Sequence, residues 1–132
     1  MAKDDELIAQ ARAAALNAYA PYSKLYVGAA VLFGADQQDK VFTGCNVENA
    51  SYGLTICAER VAISAGVAAG FRQIKKVAIA VLNEKGAPVP AFMPCGACRQ
   101  FISEFAEDKT LIIVDNRGTW FLRELLPHTF EV

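Results

Sequence analysis

The chain has 132 residues, the length of one domain and enough to bury a core without disulfides or a metal to make it fold. Hydrophobic residues make up 54% and mean hydropathy is +0.24, yet no apolar run is long enough to cross a bilayer, so the surplus points to a subunit interface and not to a membrane. Thirteen Lys and Arg are interspersed with fourteen Asp and Glu, for a net charge of -1, which excludes the basic field that draws nucleic acid and suits a small, weakly charged ligand. The start, Met1-Ala2-Lys3-Asp4-Asp5-Glu6, is acidic where a secretory leader needs positive charge, so a cytoplasmic protein is expected. Four cysteines in that setting read as metal ligands or thiols before a disulfide framework.

From Asp5 to Tyr19 the apolar residues Leu7, Ile8, Ala11, Ala15 and Leu16 recur at three- and four-residue steps, predicting a helix that stops at Ala20-Pro21. Tyr26–Phe33 and Val41–Cys45 are β-rich, with a polar loop over 34–39 between them, as in a hairpin. Cys57–Ala69 predicts a second helix ending near Gly70, and its small residues Ala58, Ala62, Ala65, Gly66 and Ala69 suggest close helix packing between subunits. Val77–Leu82 is a continuous apolar run, as in a strand covered on both faces. A third helix follows Pro94, from Cys95 to Phe105; Leu111–Val114 is another buried strand, and Leu122–Leu126 a short amphipathic turn before Pro127. The succession gives one layered α/β domain over residues 1–132, whose later strands, joined through helices, lie parallel.

Cys95-Gly96-Ala97-Cys98 stands behind a proline at a helix start, where positions i and i+3 share a face and free backbone N–H groups favour thiolate. Alone, the spacing fits equally a redox pair, half a zinc finger or two buried thiols. Cys57-Ala58-Glu59-Arg60 opens the other Ala-rich helix, so a third thiolate and a carboxylate can meet the first two across a pair of helix N-termini. A structural zinc site closes with four protein ligands, whereas a hydrolytic one keeps a place for water. The only possible fourth thiolate, Cys45, lies within the strand-like Val41–Cys45 and reads as a small buried residue.

Zinc nucleobase deaminases carry a His or Cys followed by x-E and later P-C-x-x-C, the Glu serving as general acid/base and not as ligand. Cys57-Ala58-Glu59 and Pro94-Cys95-Gly96-Ala97-Cys98 match that pattern position by position. With Ala20-Pro21-Tyr22-Ser23, Val27-Gly28-Ala29-Ala30, Gly44–Ala50, Arg99-Gln100 and Glu124-Leu125-Leu126-Pro127, the chain resembles the cytidine deaminases nearly end to end, and its three cysteines resemble their homotetrameric branch. The resemblance implies a three-layer α/β/α domain with a mixed sheet of about five strands. It implies hydrolysis of cytidine and 2′-deoxycytidine to uridine and 2′-deoxyuridine in pyrimidine salvage, with one zinc per chain on Cys57, Cys95 and Cys98. By the same resemblance Arg60 offsets the thiolate charge, Asn46 and Glu48 hold the ribose, Ala58 gives its backbone N–H to the pyrimidine carbonyl, and Phe130 reaches a neighbouring subunit's site.

Chemistry asks for the same residue types. Deamination needs hydroxide at C4, a proton at N3 and a second proton on the leaving ammonia; zinc makes the first and one carboxylate, Glu59, relays the others. Three thiolates on a divalent ion leave one negative charge, which Arg60 and two helix dipoles would offset. Asn46 and Glu48, two apart in an extended segment, point to one side. One departure stands out: the family usually places Phe at Leu25, packed on the pyrimidine, and Tyr26 faces the other way. His128 reads as a surface or interface residue. The competing readings are a deaminase of another aminopyrimidine such as blasticidin S, a nucleic-acid-editing deaminase, and a structural zinc or thiol-redox protein that would leave Glu59 without a task.

Overall fold

The computed structural model describes residues 3–35 and 38–132. In chain order it contains α1 (Asp4–Ala15), β1 (Tyr26–Ala35), β2 (Gln38–Cys45), a 3-10 turn (Tyr52–Leu54), α2 (Ala58–Ala68), β3 (Gln73–Leu82), β4 (Pro88–Val89), α3 (Gly96–Phe105), β5 (Ala106–Val114), β6 (Gly118–Phe121) and α4 (Leu122–Leu125). Together β1 and β2 form the expected hairpin, but pairing runs out to Ala35 opposite Gln38, so the loop is shorter than its polar sequence suggests; 36–37 lie outside the described residues. The first helix ends at Ala15, not Tyr19, because Tyr19 pairs its backbone with Val47 instead.

The mixed sheet has the order β2-β1-β3-β5-β6, with β4 on β3, which makes six strands against the five expected. Strand β3 is antiparallel to β1 and parallel to β5, the latter joined to it through α3, since parallel neighbours need a crossover connection. Two-residue alternation divides the apolar residues between two layers. Ala30, Leu32, Ala78, Ala80 and Ile113 face α1 through Leu7 and Ala11; Val31, Phe33, Val77, Ile79, Val81, Ile112 and Val114 face the other way, with Ala62 and Ile63 of α2 and Ile102 of α3. The result is an α/β/α sandwich.

Small residues set how closely helices lie on this sheet. A Cβ on Gly44 of β2 would fall 2.5 Å from the Ala62 backbone nitrogen and 2.7 Å from the Ala58 carbonyl oxygen, so the first turns of α2 rest directly on the strand. Ala58, Ala62 and Gly66 are buried in this contact, Gly66 against the Phe33 ring, so these three pack within the chain and not between subunits; Ala65 and Ala69 alone of the set stay exposed. Helix α2 stops where Gly70 takes a φ of 100°, a conformation that favours glycine. No helix among the described residues is long and apolar enough to cross a membrane.

Candidate active site

Two helix N-termini converge at the cysteines. Cys57 is the N-cap of α2 and Cys95 the N-cap of α3, where its Sγ accepts the Cys98 backbone N–H at 3.4 Å. The Sγ atoms of Cys57, Cys95 and Cys98 lie within 4.8 Å of one another, within reach of one ion whose bonds to sulfur run to about 2.3 Å. Cys45, opposite Gly28 on β2, is not in the group.

The local charges suit a soft divalent cation. Hydrogen bonding from Cys98 brings Cys57 down to about 5; burial opposes this, and the Arg60 hydrogen bond and positive charge reinforce it. Cys98, donor to Cys57 and itself buried, is pushed up. The set therefore already shares a thiolate, and the remaining protons would leave on metal binding. Arg60 donates from NH2 to the Cys57 Sγ at 3.5 Å, and its Nε is buried with no partner among the described residues. A cation held beside three sulfurs is the counter-charge that an all-thiolate zinc site needs. These residues fit zinc.

Beside the sulfurs is a cavity of about 210 Å³, bounded by Val27, Asn46, Thr55, Ile56 and Ala58, by Glu59 and Ile79, and by Phe92 and Met93. Glu59, 5% exposed, projects from the first turn of α2; burial pushes its carboxyl above the ordinary range, its own backbone N–H works against that, and charge on Cys57 adds to it. Ala58 is the first residue of α2, so its backbone N–H has no partner within the helix.

Asn46 and Glu48 belong to a segment clamped by backbone bonds: Tyr19 N–H donates to Asn46 O, Glu48 N–H to Tyr19 O, and Val47 and Ile56 exchange two. Clamping Val47 to Ile56 sets this segment one residue before Cys57. The Asn46 amide is largely committed to the start of β1, accepting from Val27 N at 2.9 Å and donating to Leu25 O at 3.0 Å. Glu48 borders a second, open cleft of about 380 Å³ with Tyr22, Ser23, Asn49, Tyr52 and Thr55. Despite desolvation, N–H groups of Tyr22 and Ser23 at 3.0 and 3.1 Å, the Ser23 hydroxyl and Lys24 hold the Glu48 carboxylate below its ordinary value. Thr55 borders both spaces and joins them.

Leu25, expected on the pyrimidine, does not border the cysteine cavity, and neither does Phe130, which was expected at a neighbouring subunit's site. Leu25 packs on the α2 side of the core and borders a separate cleft with Ser23, Lys24, Asn83, Glu84 and Lys85. Val27, two residues on and on the same side, takes the wall position instead. Phe130 is 74% exposed; Gln100 of α3 holds its backbone by accepting from its N–H and donating to its carbonyl, both at 3.2 Å. Phe92 and Met93 are wall residues that sequence reasoning missed. The available signal was their place immediately before Pro94-Cys95, since a chain entering a ligand-bearing helix must pass the site.

A family model for the cytidine and deoxycytidylate deaminase zinc-binding region matches residues 1–114. Among similar proteins are the cytidine deaminase of Halalkalibacterium halodurans, 46% identical over 94% of this chain and 91% of its own, and that of Mycobacterium tuberculosis, 42% identical over 89% and 81%. The crystal structure of cytidine deaminase from Mycobacterium tuberculosis superposes with a TM-score of 0.81 at 38% identity over the whole of both chains, and that from Burkholderia pseudomallei with 0.83 at 38% over 98% of this chain and all of the other. With a matching fold, a matching zinc-binding region and relatives at this identity, the chain belongs to the cytidine and deoxycytidylate deaminase family.

Proposed function

We propose that the 132 residues form one domain that deaminates cytidine and 2′-deoxycytidine by hydrolysis, consuming water and releasing ammonia with uridine or 2′-deoxyuridine. The observation that carries this reading is the shared cavity: three thiols at two helix N-termini and a buried carboxyl beside them. Cys57, Cys95 and Cys98 would hold a zinc ion, which when bound would make water acidic enough to act as the nucleophile near neutral pH.

The chain's own groups do the rest. Glu59 takes a proton from the attacking water and delivers it to N3 as C4 becomes tetrahedral, then takes the second from the new C4 hydroxyl and passes it to the departing amine; burial, which raises this carboxyl above its ordinary range, favours its protonated, proton-donating form. Ala58 donates its backbone N–H to the pyrimidine O2, and the helix dipole favours the partial negative charge there. Arg60 keeps the three-sulfur set from carrying a bare negative charge. With the base against Val27 and Phe92, the sugar crosses Thr55 into the second cleft, where Glu48 accepts from ribose hydroxyls and Asn46 orients the edge between the two spaces. An acidic group in that cleft favours a nucleoside over a nucleotide.

Exposed apolar residues include Tyr22 and Tyr52 at the open cleft and Ile56 at the cysteine cavity, together with Tyr19, Leu54 and Phe130. Their cover is proposed to be neighbouring subunits of a homotetramer, with Phe130 held by Gln100 for a partner's site; light scattering should then report about four times the 14.2 kDa chain mass. Four free thiols suit a cytoplasmic enzyme of pyrimidine salvage. The functional test is ultraviolet absorbance with cytidine, deoxycytidine, cytosine and blasticidin S offered to zinc-loaded protein. Conversion of the two nucleosides supports the reading, and no conversion of either overturns it.

A further inference from the structure

One wall of the cavity is built from chain with no helix or strand of its own. Between β4 and α3, residues 90–95 carry Phe92 and Met93 to the cavity and end on Cys95. Irregular chain of this kind wanders unless its polar groups are tied down.

Two arginines tie it at its ends. Arg117, in the turn between β5 and β6, donates from Nε to the Ala91 carbonyl, while the Ala91 N–H donates to Asp115 O at 2.9 Å. Asn116 at φ 62° and Gly118 at φ 145° shape this turn, and the buried Asp115 carboxylate anchors it to α1 through two bonds from Arg12, at 2.7 and 2.9 Å. At the other end Arg99 donates from Nε to the Pro94 carbonyl at 2.7 Å and from NH1 to Leu125 O, at the end of α4, at 2.8 Å. Arg99 directly follows the ligand Cys98, so its side chain closes the turn that bears Cys95 and Cys98.

We propose that Arg117 and Arg99 are positioning residues that clasp the Ala91 and Pro94 carbonyls and thereby fix Phe92 against the bound base and Cys95 against the metal. The inference rests on the proposed zinc and nucleoside reading. It divides the labour: the Arg117 end governs the base wall, and the Arg99 end governs the ligand. Bonds from a cationic donor to a carbonyl are stronger than neutral ones, which is why two can hold six residues.

The test uses side chains of similar length. Gln places its Nε2 at the same bond count from Cα as the Arg Nε, so it keeps that donor; Met keeps the apolar stem and removes it. Arg117→Met should raise KM for cytidine by up to the several-fold expected of Phe92→Ala, with a smaller effect on zinc, and Arg99→Met should speed zinc loss to a chelator roughly tenfold, the usual scale for partners that orient a metal ligand. Both Gln variants, which keep the donor without its charge, should recover part of the loss, Arg99→Gln less than Arg117→Gln because it also lacks the bond to Leu125. Arg72→Met is the structural control: Arg72 donates to Val67 O and Phe71 O at the far end of α2, so its removal should lower the melting temperature and leave KM and zinc release unchanged. Amide exchange in the peptide spanning 88–95 should quicken in both clasp variants, a reading independent of any activity. If the parent does not turn over cytidine, the functional reading fails while exchange still reads the clasp. Met variants that match the Arg72 control in KM, zinc release and exchange overturn it.

Discussion

Substituting Gly44 by alanine separates the placement of the catalytic turn from general stability. The added Cβ would stand 2.5 Å from the Ala62 nitrogen, 2.7 Å from the Ala58 carbonyl oxygen and 3.0 Å from the Val61 Cβ, and the two nearest atoms are backbone. Restoring a 3.4 Å contact with Ala62 requires about 0.9 Å of movement. That movement falls on the turn that carries Cys57, Ala58 and Glu59. Overpacking of this kind costs roughly 1–3 kcal/mol, and a displacement of about 1 Å at a reacting centre lowers turnover by about 10²-fold. Gly28→Ala is the matched control, because its Cβ would strike the Ala11 carbonyl of α1 on the opposite face of the sheet at 1.9 Å. Both variants should melt earlier. Only Gly44→Ala should lose kcat beyond what its folded fraction explains, and it should also release zinc faster to a chelator. If Gly44→Ala keeps parental kcat and zinc retention while folded, the close seating of α2 on β2 does not set the catalytic geometry.

Glu59→Gln should retain zinc and nucleoside binding and lose turnover by roughly 10²–10⁴, read as kcat against a nucleoside titration. Because burial raises this carboxyl, its charged form weakens the fold at pH values above the raised pKa, so the same variant should melt higher than the parent near pH 8 and the gain should shrink as the pH falls. Metal analysis should find one zinc per chain, lost on replacing Cys57, Cys95 or Cys98 by alanine and kept in Cys45→Ser. In metal-free protein, alkylation of Cys57 should persist at mildly acidic pH, falling away only near pH 5, while Cys45, raised by burial, reacts only in alkaline solution. Phe92, 46% exposed at the cavity wall, should on replacement by alanine raise KM several-fold with little change in kcat, since a wall contact binds ground and transition states alike.

The residues that carry chemistry were legible because each depends on local spacing. Cys57, Glu59, Cys95 and Cys98 occupy the first turns of periodic helices, and helix geometry alone brings i and i+3 together; the structure puts the three sulfurs in one group. The strands that escaped sequence reading lack such a pattern. Two residues, Pro88-Val89, are too few to alternate, and β6 is only four, Gly118-Thr119-Trp120-Phe121, directly after a turn. Long-range contacts were equally hidden. The Asn46 amide bonds to Leu25 and Val27, across the hairpin, and nothing in the spacing of Asn46 and Glu48 shows that the two border different cavities. Leu25 precedes β1 and Val27 lies within it, and which of the two borders the cysteine cavity is visible only in the folded chain.

The central claim is hydrolysis at the cysteine cavity, and oxygen labelling tests it most directly. Zinc-loaded protein is incubated with cytidine in water enriched in oxygen-18, and the product is weighed by mass spectrometry with ammonia measured in parallel. The account predicts uridine carrying one oxygen-18 for each ammonia released, formed at least about a hundredfold more slowly by Glu59→Gln under the same conditions. Uridine without the label, or label incorporated equally well by Glu59→Gln, would contradict it.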